Sequence, residues 1–318
     1  MSRNSRFLDN LGVYLLVAVF VLGLAASLEA FAAGSSSTLS TSVIVGNAAP
    51  IVSGVVLNNG SAITLTPGAT TTIQINYIVS DNNGCADVFT SGAVSSTAWR
   101  FGVSAACATP SPTVNNLNCY GMVLANSTNS CTGSNLSANV TDTVYIYYFA
   151  QATDASSSYP LEHWEAFAYA KDGSNATGSA TSTSVELNTL TAIDVTTSSV
   201  NYGTLSASST SATSEMATST NAGNSSTTLQ VKASSTLVAA GIGSIATSSQ
   251  HYATSSATLW DNSSALTDTL ATVSGYLLTS PTTTALVAKQ TFWRLNVPAG
   301  TATGTYSGAN IFSSLFQP

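Results

Sequence analysis

Few side chains in this 318-residue chain are equipped for chemistry: Lys, Arg, Asp and Glu make up 7% of it, and it has 2 His and 4 Cys. The densest cluster is VSDNNGCADV, residues 79–88. Asp81, Asn83 and Asp87 offer the hard oxygen atoms that gather around Ca2+. An EF-hand loop needs Gly at its sixth position and Glu at its twelfth. Counted from Asp81, Gly84 comes fourth and no Glu follows, so the stretch is not an EF-hand. The default expectation is a turn, because Asn and Gly tolerate left-handed backbone and Asp caps its own chain. The sharper alternative is a calcium site on Asp81, Asn83 and Asp87, completed by backbone carbonyls.

Two further groupings fall short of catalysis. EHWE, Glu162–Glu165, offers two carboxylates of the kind a glycosidase uses. On a strand, however, residues three apart face opposite sides. A solvated face around an inward Trp164 is expected instead. His163 and His251 are the only histidines, and a Ser–His–Asp triad needs one of them beside an activated serine. The sequence contains no G-x-S-x-G elbow and no H-E-x-x-H motif, and GNSSTT lacks the lysine of a phosphate loop. No enzyme activity is expected, and calcium is the sole candidate cofactor.

Composition bounds the partners. The net charge is −7 with 7 basic residues, and no Lys/Arg patch exists, so nucleic acid is excluded. The chain is 44% hydrophobic with 12 Tyr, 10 Phe and 4 Trp, unlike charged, aromatic-poor disordered sequences. Its richness in Thr, Val, Ile and aromatics points to a folded all-β protein. With so few charges, solubility must come from hydroxyls, amides, glycans or assembly. Seven Asn-x-Ser/Thr sequons occur, at Asn59, Asn126, Asn135, Asn139, Asn175, Asn224 and Asn262. So Ser/Thr-rich a chain supplies that many by chance. Tyr and Trp could stack sugars in a lectin-like platform, although aromatics in strands usually serve the core.

The N-terminus sets the compartment. Arg3 and Arg6 precede an apolar run from Leu11 to Leu28. Ala30-Phe31-Ala32 is an A-x-A site that predicts cleavage before Ala33. The run also approaches the length of a membrane span, so an uncleaved anchor competes with a signal peptide. Either route exports the chain to an extracellular or cell-surface location, with the membrane contacted only through residues 11–28 if they are retained. Exported chains meet oxidising conditions, and an even cysteine count there reads as disulfides. Cys85, Cys107, Cys119 and Cys131 allow three pairings; the nested one, Cys107–Cys119 inside Cys85–Cys131, is favoured. No C-x-x-C occurs, which argues against zinc or thioredoxin-like redox chemistry.

The elements that must position these groups are strands. Residues 33–41 form a linker after the N-terminal segment 1–32. In TTTIQINYIVSD, Ile73, Ile75 and Tyr77 share one face while Thr72, Gln74 and Asn76 share the other. Val144, Ile146 and Tyr148 repeat the pattern. Trp164, Ala166, Ala168 and Ala170 repeat it again, opposite Glu165, Phe167 and Tyr169. ATSTSVEL closes the set near Leu187. Short strands with frequent turns describe an immunoglobulin-like β-sandwich over residues 42–188, with the cysteines stapling its central insertion. Residues 189–318 form a second β-sandwich. There Trp293, Leu295 and Val297 alternate with Phe292, Arg294 and Asn296, and Tyr306–Phe312 makes a last strand.

SVIVGNAAPIVSGVVLNNGSAITL, VSDNNGCADV, AYAKDGSNATGSATSTSVELNTLTAIDV and LNVPAGTATGTYSG together resemble exported, Ser/Thr-rich surface proteins of ultra-small bacteria with tandem immunoglobulin-like modules. The resemblance covers most of residues 40–312 and rests on turn and strand motifs. It implies a cell-surface location and a structural or adhesive role, with partners that are further copies of the chain or other surface proteins. Two alternatives stand beside it. One is a filament subunit, either pilus-like, with the apolar N-terminus as a helical core, or strand-complemented, with Leu39–Val45 completing a neighbour's sheet by strand addition. The other is a carbohydrate-binding module.

Overall fold

The computed structural model describes residues 39–102 and 107–317. The apolar run at residues 11–28 and the cleavage site before Ala33 lie outside them. By its contacts the chain divides into two compact units, Met1–Gly46 and Asn47–Pro318. In the first unit, residues 39–46 carry no regular secondary structure, and Leu39, Val43, Ile44 and Val45 are exposed.

Among the described residues, the second unit is all-β apart from one short helix and isolated 3-10 turns. Its first part contains β1 (Ile51–Leu57), β2 (Thr70–Ser80), α1 (Cys85–Phe89), β3 (Ala93–Arg100), β4 (Cys119–Gly121), β5 (Thr128–Asn129), β6 (Ser137–Tyr147), β7 (Trp164–Lys171) and β8 (Thr177–Thr181). Two antiparallel sheets, ordered β1-β2-β6-β5 and β4-β3-β7-β8, form a sandwich. The alternation expected from sequence sets which faces meet. Ile73, Ile75 and Tyr77 of β2 pack with Val144 and Ile146 of β6, against Trp164, Ala166, Ala168 and Ala170 of β7. The register places Ile73 opposite Val144 and Tyr77 opposite Val140. Each such Ile or Val side chain contributes about 1.5–3 kcal/mol relative to exposure. The three Ala residues of β7 leave room for Trp164, which is fully buried and donates its indole N–H to Gln151 O at 2.9 Å.

The outer face of the second sheet is also covered in part. Phe167, which alternates with Trp164 and Ala166, is 9% exposed. It packs with Trp99 and with Cys107 and Cys119 of the central insertion, which folds back over the sheet as a second, smaller core. The strand expected over ATSTSVEL is likewise shorter. β8 ends at Thr181, and beyond it Val185 and Leu187 make single bridges to Trp164 and Ile63.

The later strands are β9 (Ile193–Val195), β10 (Ser209–Thr210), β11 (Glu215–Asn221), β12 (Thr227–Ala233), β13 (Leu237–Ala239), β14 (Gly243–Ile245), β15 (Gln250–Ala253), β16 (Ser264–Ala265), β17 (Ala271–Leu278), β18 (Ala288–Val297) and β19 (Asn310–Phe316). One sheet runs β16-β15-β18-β11-β9 with β10 also on β18, a second runs β17-β12-β19, and β13 pairs with β14. Trp293 is the fully buried centre of a core shared with Leu229, Val231, Tyr276 and Leu278. Its indole N–H donates to Thr291 Oγ1 at 2.9 Å, so no polar atom of the ring is stranded. The last strand starts at Asn310, not at Tyr306. Gly308 lies so close to the chain that an added Cβ would sit 2.9 Å from Thr236 O, and Ser307 makes only a single bridge to Val238.

Polar side chains link the two sets of sheets. Asn224 is 9% exposed; its amide donates to Ala150 O at 3.0 Å and Asn188 O at 3.2 Å, and its Oδ1 accepts from Leu190 N at 2.6 Å. With both amide atoms engaged, this sequon offers no acceptor nitrogen in the folded chain.

Candidate metal centre

The stretch at residues 79–88 is half turn and half helix. After β2 the chain turns at Asp81, whose carbonyl accepts from Gly84 N at 3.0 Å and whose Oδ1 accepts from Asn83 N at 2.7 Å. Gly84 has φ 105°, which an L side chain rarely adopts, and it hands the chain to α1. The turn expected from sequence therefore covers only the first half. The second half is helical because Cys85 is anchored: its N–H donates to Asn135 O at 2.8 Å and its sulfur bonds Cys131. The second disulfide is Cys107–Cys119, so the nested pairing expected from sequence is the one observed, with Cα–Cα distances of 5.8 and 5.9 Å. Among the described residues no cysteine is free.

Of the three candidate ligands, the carboxylates of Asp81 and Asp87 converge. Asn83 Oδ1 accepts a hydrogen bond from Ala48 N at 2.7 Å. A third carboxylate comes from Asp172, the first residue of the β7–β8 turn. Carboxylate oxygens of Asp81, Asp87 and Asp172 all lie within 4.8 Å of one another. Asp172 is absent from the sequence-based set because it lies 85 residues beyond Asp87. The D-G pair at 172–173 signals a hairpin turn, and nothing in its spacing says where that turn docks.

The docking is close. Gly173 N donates to Asp87 O at 3.1 Å and to Asp87 Oδ1 at 3.2 Å. A Cβ on Gly173 would stand 2.8 Å from both Asp87 Oδ1 and Ser91 Cβ, so only glycine allows this approach. Asp172 is 1% exposed and folded into its own turn: Oδ1 accepts from Ser174 N at 2.9 Å and Ala176 N at 2.8 Å, and Oδ2 accepts from Asn47 Nδ2 at 2.8 Å. The Asn47 amide lowers its pKa below the ordinary carboxylate value; burial opposes this, and the Ala176 and Ser174 N–H groups add to it. Asp81 is 2% exposed, and its Oδ2 has no hydrogen-bond partner. Among the described residues Arg100 pairs with Glu162 and His163 contacts Glu165, and no Lys or Arg forms an ion pair with this acidic cluster.

The other groups singled out are committed elsewhere. Glu162 pairs with Arg100, which is 5% exposed and lies over the Tyr159 ring. Glu165 meets His163 Nε2 at 2.8 Å, and the His163 ring stacks on Phe101. The two glutamates thus serve separate pairs and do not flank a common space. His251 stacks on Trp260 and has Ser263 Oγ 3.1 Å from Nδ1. That hydroxyl donates to Trp260 O at 2.6 Å, so its proton is directed at a carbonyl and away from the imidazole.

No protein-family model matches the chain, and no curated protein matches it.

Proposed function

We propose that the chain is a non-enzymatic structural or adhesive protein displayed outside the cell, with immunoglobulin-like sandwiches as its stalk or layer-forming body. The observation that carries this reading is the nested pair of disulfides within an all-β body. Cys85 and Cys119 are fully buried, and the Cys107–Cys119 bridge is part of the small outer core over β7. Structural bridges of this kind belong to oxidising compartments. The signal-like N-terminus and the resemblance to Ser/Thr-rich surface proteins support the same location. His163 and His251 are held by Glu165, Phe101, Trp260 and Ser263 in arrangements that fix side chains, which favours a structural role over turnover.

Protease shaving of intact cells tests the location. Peptides from residues 47–317 released without lysis support display; their recovery only after lysis refutes it.

A filament is the second reading. It is favoured by Leu39, Val43, Ile44 and Val45, which are exposed and, among the described residues, pair with no strand of their own chain. Strand addition to a neighbouring copy would cover them. Electron microscopy of the purified native protein separates the two readings, since isolated particles or flat layers are incompatible with a filament. Carbohydrate binding has weaker support, because Trp99, Trp164 and Trp293 are buried and Trp260 is stacked on His251.

A further inference from the structure

We propose that Asp81, Asp87 and Asp172 bind one Ca2+ ion, which clamps the turn after β2 to the turn between β7 and β8. The site is independent of where the protein is displayed and of what it adheres to.

Three observations converge on it. First, the geometry suits a shared ion. Ca2+–oxygen distances are about 2.4 Å, so two oxygens on one ion stand no more than about 4.8 Å apart. The three carboxylates meet that bound. Second, one oxygen is stranded. Asp81 Oδ2 is buried without a donor, whereas Asp81 Oδ1 and both oxygens of Asp172 are satisfied by N–H groups. A buried, unpartnered carboxylate oxygen is left without the solvation it has in water, and a cation supplies a partner for it. Third, like charges this close in a low-dielectric setting repel, and no Lys or Arg of the described residues pairs with them.

The donor set selects the class of ion. All three side chains are hard oxygen ligands, with no His or Cys among them, which disfavours zinc and softer metals. Ca2+ accepts irregular sets of six to eight oxygens, so carbonyls and water can complete this one. Mg2+ demands a near-ideal octahedron and keeps its own waters.

The consequence is mechanical. The segment that enters the sandwich touches the same cluster, through Asn47 on Asp172 and Ala48 on Asn83. A bound ion would therefore lock three stretches together: residues 47–48, 81–87 and 172–176. Calcium would stiffen the point where the chain joins its first sheet.

The test is calorimetric titration of Ca2+ into the full-length chain in detergent after EDTA treatment, with thermal unfolding in parallel. Saturable one-to-one binding and a raised Tm in millimolar Ca2+ are expected. Asp81→Asn and Asp172→Asn should abolish both effects, and Asn83→Ala should keep them. Asp87→Asn, at a half-buried position, keeps the test open if the two buried variants fail to fold, and it should weaken binding at least tenfold. Absence of heat and an unchanged Tm in the parent chain would overturn the site. So would binding that survives Asp172→Asn, or binding lost with Asn83→Ala alone.

Discussion

Tyr77 on β2 donates its hydroxyl to Asp142 on β6 at 2.9 Å, inside the first sandwich, where the two residues are 2% and 0% exposed. Asp142 occupies an inward position in the series Ala138, Val140, Asp142, Val144, Ile146, where the pattern calls for another aliphatic side chain. Ser96 Oγ donates to the same oxygen at 2.6 Å, and Ser127 Oγ donates to the other. Three hydroxyls thus solvate one buried carboxylate. Burial pushes the Tyr77 phenol well above its ordinary value, and the nearby Asp142 charge adds to this, so Tyr77 stays a donor throughout the usable pH range.

Asp142→Ala is expected to destabilise the chain by about 2–3 kcal/mol, because it strands hydroxyl donors in the core. Asp142→Asn keeps one acceptor oxygen and should cost less. Urea denaturation of the three proteins checks the order. An Asp142→Ala variant as stable as the parent would mean the network holds nothing together.

The two disulfides should differ in effect. Cys85–Cys131 spans 46 residues and Cys107–Cys119 spans 12. Loop-closure entropy gives about 4 kcal/mol for the longer loop and about 3 kcal/mol for the shorter. The double Cys→Ser variant at 85 and 131 should therefore unfold at lower denaturant than the one at 107 and 119. The longer bridge also holds α1 beside the acidic cluster, so its loss should weaken Ca2+ binding as well.

The two larger hydrophobic cores each contain a fully buried tryptophan, Trp164 and Trp293. Replacing either with Ala should cost about 3–5 kcal/mol. Tryptophan fluorescence during unfolding reports each core, since each variant removes one buried emitter. If Trp293→Ala proved neutral, the second set of sheets would not be organised around that side chain.

The period-two patterns made much of this architecture legible. Ile73, Ile75, Tyr77, Trp293, Leu295 and Val297 are all buried, as their alternation requires. The pattern speaks about one sheet face at a time, so it could not show that the insertion between Cys107 and Cys119 covers Phe167. Nor could it foresee Asp142, whose partners Tyr77, Ser96 and Ser127 come from three separate segments. The acidic cluster was half legible: Asp81 and Asp87 are neighbours in sequence, but Asp172 reaches them only through the register of β3, β7 and β8. Asn83 is the third candidate by spacing, and the hydrogen bond it accepts from Ala48 N depends on where the entering chain lies. The last strand begins four residues after Tyr306, because the close approach of Gly308 to Thr236 delays pairing until Asn310.

Immunogold labelling of intact, unpermeabilised cells, with an antibody raised against the folded chain, tests the central claim most directly. An exported surface protein predicts gold along the outer face of the envelope before any permeabilisation. Label confined to the cell interior, reached only after permeabilisation, would contradict it.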